Sequence, residues 1–237
     1  MPDLTSSAPA IAARTMLRRY PAVKRSAVAA LALGRPGGYE RRFSSEMLSR
    51  VRPGDRVWDV GANVGLYSEL FAAAVGPSGR VLSFEPAPAS AAVLAERIRG
   101  YTGQASWEVV PVALSDSDGG AWLSTASGDT APDNHLASPG DGPAVAVRTQ
   151  RGDSVVAAGE RPPSLIKIDV EGFEGEVLDG MGSLLRAASL HTVCAEIHFG
   201  QLAARGKSRE PARIVARLRA HGFTVKWADM SHLIAQR

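Results

Sequence analysis

The sequence predicts an α/β protein whose core is a doubly wound, mostly parallel sheet closed by an antiparallel C-terminal hairpin. Three observations carry that reading. Short apolar strands alternate with amphipathic helices from about residue 56 onward. A glycine-rich turn joins the first of these strands to a helix, and the next strand delivers an acid at its carboxyl end. The last two strands lie too close in sequence for a crossover helix, so they must pair antiparallel. With 237 residues, 45% of them hydrophobic and 22% charged, one well-buried domain is expected.

Taken in order, residues 1–8 are rich in Ser and Pro and read as disordered. From Ile11 to Leu33, Ala, Leu and Arg dominate, broken at Pro21, which predicts one or two amphipathic helices. Residues 1–50 are therefore read as a helical cap on a domain spanning 51–237, acting as a substrate lid, a packing helix or a contact in a homodimer. The apolar run Ala27–Leu33 is too short to cross a membrane. The basic pair Lys24-Arg25 begins too late for a secretory signal, and Arg35-Pro36-Gly37-Gly38 is no small-residue cleavage site. Ser44 to Val51 predicts a short helix ended by Arg52-Pro53-Gly54-Asp55.

Val57, Trp58 and Val60 then read as a buried strand, followed by the turn Gly61-Ala62-Asn63-Val64-Gly65. Val64, Tyr67, Leu70, Phe71 and Ala74 recur at helical spacing until Gly76-Pro77. Arg80 to Phe84 is a strand ending at Glu85, and Pro88 to Arg99 is a helix with Val93, Leu94 and Ile98 on one side. Trp107 to Leu114 is a strand, Ser115 to Gly120 a turn, and Ala121–Ser124 and Ala144–Arg148 are two extra strands. Between those two runs a polar loop, residues 127–142, contains Asn134-His135; long loops in compact domains are often functional. A helix from Asp153 to Ala158 leads to the strand Leu165–Val170, which carries Asp169. Glu174 to Leu185 is a helix with Val177, Leu178, Met181, Leu184 and Leu185 buried. A strand from Leu190 to His198, a helix from Pro211 to His221, and the hairpin Phe223–Ala228/His232–Ala235 complete the chain.

Strand, glycine turn, helix, strand and acid together make a cradle for an adenosine, because the glycines admit the ligand to the backbone and the acid accepts hydrogen bonds from ribose hydroxyls. A dinucleotide fingerprint would place glycines where this chain has Gly61, Asn63 and Leu66, so a nicotinamide cofactor fits poorly and a nucleotide-dependent oxidoreductase is disfavoured. An acid followed by GxNxG suits S-adenosylmethionine. The net charge is only +3 with scattered arginines, which leaves no electrostatic footprint for nucleic acid. The single Cys194 excludes a disulfide framework and a cysteine zinc site, and is compatible with a cytoplasmic location.

The motifs DVGANVG, FEP, VALSD and, above all, LIKIDVEGFEGEVLDGM resemble the FkbM family of class I S-adenosylmethionine-dependent methyltransferases. The likeness runs from about Val57 to the C-terminus, and Glu196-Ile197-His198 is similar to the family's later acid-x-His strand end. It implies a Rossmann-like fold and methyl transfer, commonly to an oxygen of a sugar or natural product. Where the family often has Thr-Leu-Asp before the long strand, this chain has Gln150-Arg151-Gly152-Asp153.

Asp59, Gly61, Asn63, Gly65 and Glu85 are accordingly assigned to the cofactor, with Glu85 on the ribose and Ser115 or Asp116 at the adenine edge. For Asp116, turn formation is an equal reading. Asp169, Glu171, Glu196 and His198 form the expected acceptor-side cluster. His198 is the first choice of general base, since an unperturbed imidazole titrates near neutrality, and His135 is the alternative if its loop folds over the site. Glu174 is read as a carboxylate at a helix N-terminus. Asp169 and Glu196 are also the pair that would hold a divalent ion such as magnesium, if one is used. The acceptor is expected to be a small molecule carrying a hydroxyl; N- or carboxyl-methylation and a non-catalytic adenosyl-binding role are the alternatives.

Overall fold

The computed structural model describes residues 38–125, 136–137 and 143–237. The stretch Ile11–Leu33 and most of the polar loop, His135 included, lie outside the described residues. The elements are α1 (Gly38–Leu48), β1 (Arg56–Val60), α2 (Leu66–Val75), β2 (Arg80–Phe84), α3 (Pro88–Gly100) and β3 (Ser106–Val110). Next come β4 (Ala113–Leu114), β5 (Gly119–Ser124), β6 (Leu136–Ala137), β7 (Ala144–Gln150), α4 (Gly152–Ala157), β8 (Leu165–Ile168) and α5 (Glu174–Asp179). After a single 3-10 turn at Leu184–Arg186 follow β9 (Thr192–Glu196), α6 (Phe199–Ala204), α7 (Glu210–Ala220), β10 (Thr224–Trp227) and β11 (His232–Gln236).

Seven strands form the main sheet in the order β10-β11-β9-β8-β1-β2-β3. The pairs from β9 through β3 are parallel, and β11 runs antiparallel to both β9 and β10. Alternate residues of the central strands feed two separate cores, as a sheet covered on both faces requires. Trp58, Val60, Ile166 and Ile168 pack with α5 and α7 through Val177, Leu178, Ile214 and Leu218. Val57, Val81, Leu165 and Cys194 pack with α1, α2 and α3 through Phe43, Met47, Phe71, Val75 and Leu94. Double winding thus reads directly from the strand alternation.

Several expectations change in detail. The single strand foreseen over Trp107–Leu114 divides at Pro111, which has no N–H to give a ladder. β3 stays in the main sheet, whereas β4 leaves it to pair with β7 in a second sheet, β4-β7-β5-β6. That small sheet packs Leu123 and Val147 on Ala87, just beyond Glu85. The helix foreseen over Glu174–Leu185 stops at Asp179. A Cβ on Gly180 would lie 1.9 Å from the Ser115 carbonyl oxygen, so the chain passes there only as glycine. The Asp153 carboxylate then accepts the N–H groups of Ser183 and Leu184 (each 3.0 Å), opening the 3-10 turn. α6, directly after His198, had no sequence counterpart.

Candidate active site

The turn after β1 is fixed by its backbone. Gly61 has φ 76°, and a Cβ there would sit 1.8 Å from the Asp169 carbonyl oxygen. Only glycine lets the turn close against the end of β8 in that conformation. The Gly61 and Ala62 N–H groups both donate to the Phe84 carbonyl (3.0 and 3.1 Å), locking the turn to the end of β2. Asn63 is itself left-handed (φ 48°). Its N–H donates to Glu85 Oε2 (2.8 Å), and the Ala87 N–H donates to Glu85 Oε1 (2.8 Å). Burial raises the Glu85 carboxyl above its ordinary range, with those two N–H groups and Lys167 pulling the other way. The Asn63 side-chain oxygen is buried with no hydrogen-bond partner among the described residues. A carboxylate with lone pairs to spare and an unsatisfied amide oxygen fit a ligand that brings hydroxyl and ammonium donors.

Asp59 departs from its expected role. It is wholly buried, facing α2, and meets protein groups rather than a surface open to the cofactor. The Ser68 hydroxyl donates to its Oδ2 (2.6 Å), the Ser83 hydroxyl to Ser68 Oγ (2.7 Å), and Trp107 Nε1–H to Ser83 Oγ (2.8 Å). Lys167, its cross-strand neighbour on β8, supplies the counter-charge at 3.1 Å from Oδ1. Ser115 and Asp116 likewise build a turn: the Ser115 and Ser117 hydroxyls donate to Asp116 Oδ1, and Arg151 reaches the Asp116 carbonyl. No hydrogen bond or ion pair among the described residues ties Ser115 or Asp116 to Glu85 or to the glycine turn.

At the ends of β8 and β9 the expected acids do converge. His198 Nδ1 lies 2.7 Å from Glu174 Oε1, and its Nε2 lies 3.1 Å from Glu171, 3.7 Å from Asp169 and 4.0 Å from Glu196. Burial alone would lower the imidazole's pKa, but Glu171 and Glu174 outweigh it and hold His198 protonated well above its ordinary value. That shift favours the charged form over the neutral form that could act as a base, which counts against the role expected of it. Glu174, expected at a helix N-terminus, is also completely buried as the partner of His198 and of the Gly172 N–H. Glu171 is held in a left-handed conformation (φ 50°) with its carboxylate on Gln201 Nε2 (2.6 Å). Just beyond α6, Arg205 stacks over the Phe173 ring (3.4 Å) and bonds the Gly172 carbonyl, pinning the same segment.

Beside these acids lies a cavity of about 30 Å³, lined by Phe43, Tyr67, Lys167, Ile168, Asp169, Glu196 and His232. It has room for about one water-sized group. His232 was not foreseen. Its Nδ1 lies 2.8 Å from Asp229 Oδ2 and its Nε2 3.2 Å from Glu196 Oε2, while its ring stacks on Phe43 at 4.1 Å. Burial disfavours its charge, but Asp229 and Glu196 bring its pKa up to about 9. Lys167 was also missed, although a lysine inside the apolar run LIKI was the available signal: a buried cation needs anions nearby. Phe43 and Tyr67 carry no mark of a site in the sequence, because they reach the cavity from separate helices. Asp169, Glu196 and His198 each bring one potential metal-ligand atom within 4.8 Å of the others.

A doubly wound seven-stranded sheet with its last strand inserted antiparallel, and a glycine turn closed onto a strand-end acid, defines a class I S-adenosylmethionine-dependent methyltransferase. Within that class the chain belongs to the FkbM family: the methyltransferase FkbM domain matches residues 59–225. It is 29% identical over 213 residues to the hexuronic acid methyltransferase AglP of Haloferax volcanii, covering 78% of this chain and 81% of that protein. It is 31% identical over 205 residues to the 31-O-demethyl-FK506 methyltransferase FkbM of Streptomyces tacrolimicus, covering 74% and 75%. Among solved structures, methyltransferase FkbM from Methylobacillus flagellatus KT superposes with a TM-score of 0.56 at 13% identity, over 97% of this chain and 58% of that longer one. The S-adenosylhomocysteine-bound Podospora anserina methyltransferase PaMTH1 superposes with a TM-score of 0.50 at 9% identity, over 92% and 96%. No helix among the described residues is long and apolar enough to cross a membrane.

Proposed function

We propose that the enzyme methylates a hydroxyl oxygen of a small molecule of the sugar or natural-product kind. The observation that carries this reading is the pair of carboxylates, Asp169 and Glu196, on the wall of one cavity at the strand ends beside the glycine turn. The relatives named for a hexuronic acid and for 31-O-demethyl-FK506 support the acceptor class. Gly61, Asn63, Gly65 and Glu85 hold S-adenosylmethionine, which when bound supplies an electrophilic methyl group on a sulfonium. Alignment of the acceptor oxygen with that methyl group provides most of the rate. Asp169 or Glu196 would accept the hydroxyl proton as the oxygen–methyl bond formed and the methyl–sulfur bond broke, its electron pair staying on sulfur. His198, its charged form favoured, presents Nε2 to Glu171 at 3.1 Å and stands 3.7 and 4.0 Å from Asp169 and Glu196, a nearby positive charge rather than the group that takes the proton. α1 brings Phe43 to the cavity wall, and its Ser44 hydroxyl pairs with Tyr67 Oη at 2.8 Å.

The test is transfer of a labelled methyl group from S-adenosylmethionine to a panel of hexuronic acids and hydroxylated macrolides, followed by mild alkali. An ether survives that treatment and a methyl ester does not, so an alkali-labile product replaces hydroxyl with carboxyl methylation. A second reading, in which a divalent cation sits between Asp169 and Glu196, is favoured by the approach of Asp169, Glu196 and His198. It requires His198 to give up its hydrogen bonds to Glu171 or Glu174. Turnover undiminished by exhaustive chelation removes it.

A further inference from the structure

Lys167 sits at the one point where the cofactor turn, the buried polar chain and the acceptor wall meet. Its ammonium lies 3.1 Å from Asp59 Oδ1, 3.4 Å from Asp169 Oδ2 and 3.2 Å from the Gly61 carbonyl oxygen, and 5.3 Å from the centre of the Tyr67 ring. Asp59 belongs to the end of β1, Gly61 to the turn, and Asp169 to the exit of β8. The chain Trp107–Ser83–Ser68–Asp59 runs across β3, β2, α2 and β1 and ends on this cation. The ammonium thus donates to the Gly61 carbonyl and lies against two carboxylates, and each partner belongs to a different functional segment.

We propose that Lys167 is a positioning residue that sets the geometry of the cofactor turn against the acceptor wall, acting through the Gly61 carbonyl and the Asp169 carboxylate. The proposal rests on the reading of Gly61–Glu85 as the cofactor cradle. An in-line transfer tolerates little drift between its two partners, and one cation holding both sides in register removes that freedom. A purely structural lysine would need only Asp59. The contact to the Gly61 carbonyl is what a structural role leaves unexplained, and the cavity-facing contact to Asp169 is the second.

The experiment uses the full chain and S-adenosylhomocysteine as the probe, by calorimetric titration. Lys167→Met alone strands the buried Asp59 charge and will melt early, so the informative variant is Lys167→Met combined with Asp59→Asn, in which both charges leave together. The expected result is that the double variant regains most of the melting temperature lost by Lys167→Met but binds S-adenosylhomocysteine about tenfold or more weakly than the unaltered protein. Unchanged affinity in a well-folded double variant overturns the proposal. So does an affinity that rises and falls in step with melting temperature across the single and double variants. If the unaltered protein itself fails to bind S-adenosylhomocysteine, the cofactor-cradle reading falls and this inference falls with it, which separates the two failures.

Discussion

The two halves of the site are built from different materials. The cofactor half is made by the backbone: Gly61 and Asn63 in left-handed conformations, paired N–H groups on the Phe84 carbonyl, and Glu85 held by the N–H groups of Asn63 and Ala87. The acceptor half is made by side chains: Glu171, Glu174 and Glu196 around His198, and Asp229 and Glu196 around His232. A backbone cradle needs particular residues at fixed spacing, because a Cβ in the wrong place is a collision. A charge network needs only compensating partners within reach, and these come from elements far apart in the chain. The first kind of site therefore fails abruptly on substitution, and the second fails by degrees and with pH.

The sharpest break of the cofactor half is Gly61→Ala. The added methyl meets the Asp169 carbonyl at 1.8 Å at a φ of 76°, so the turn must move away from β8 or the fold must yield. A loss of about 3 kcal/mol in denaturant unfolding is expected, together with loss of detectable S-adenosylmethionine binding. Glu85→Ala should keep most of the stability and lose the affinity, whereas His198→Ala should keep the affinity and lose turnover. If Gly61→Ala binds the cofactor normally, the cofactor half does not depend on its backbone in the way its geometry requires.

That contrast also explains what the sequence could disclose. Gly61, Asn63, Gly65 and Glu85 stand in one stretch of 25 residues and are tied to backbone geometry, so spacing alone reveals them. The main sheet and its closing hairpin were legible because strand alternation encodes which face is buried. Asp169, Glu171, Glu196 and His198 were legible as chemistry at strand ends, but the charge on His198 was not, because it depends on distances. His232, Lys167, Phe43 and Tyr67 meet across nearly the whole length of the chain, and nothing local in the sequence couples them. The need for glycine at position 180 was hidden for the same reason, since the atom that imposes it is the carbonyl of Ser115.

A smaller effect sharpens the acceptor side. His232 has its pKa raised from 6.5 to about 9, so its pairing stabilises the folded chain fully below pH 6.5 and loses that contribution as the pH climbs toward 9. The shift corresponds to roughly 2–3 kcal/mol once residual solvent screening is allowed for. Among the described residues, Asp229, Glu196, Ser231 and the Phe43 ring face the imidazole. Melting followed at pH 6 and pH 9.5 should show a larger drop for the unaltered protein than for His232→Gln. Equal drops in the two proteins would mean that the Asp229–His232–Glu196 arrangement does not carry the charge assigned to it.

The smallest effect lies on α2, where the helix leaves the cofactor turn. Its apolar spacing points Leu70 inward, yet Leu70 is 46% exposed and the buried face is Ser68, Phe71, Ala72 and Val75. The helix is turned so that a serine, not a leucine, faces the sheet, because the buried Asp59 needs a donor there and Ser68 supplies it at 2.6 Å. Leu70→Gln should then change unfolding free energy by no more than about 0.5 kcal/mol, as for an ordinary surface position. Ser68→Ala, a change of one oxygen atom, should cost about 1–3 kcal/mol by leaving the buried carboxylate short of a partner. A reversal of that order would mean that apolar patterning sets the rotation of α2. Asp59 would then merely accept whatever the helix offers, and the charge chain ending on Lys167 would be a by-product of packing.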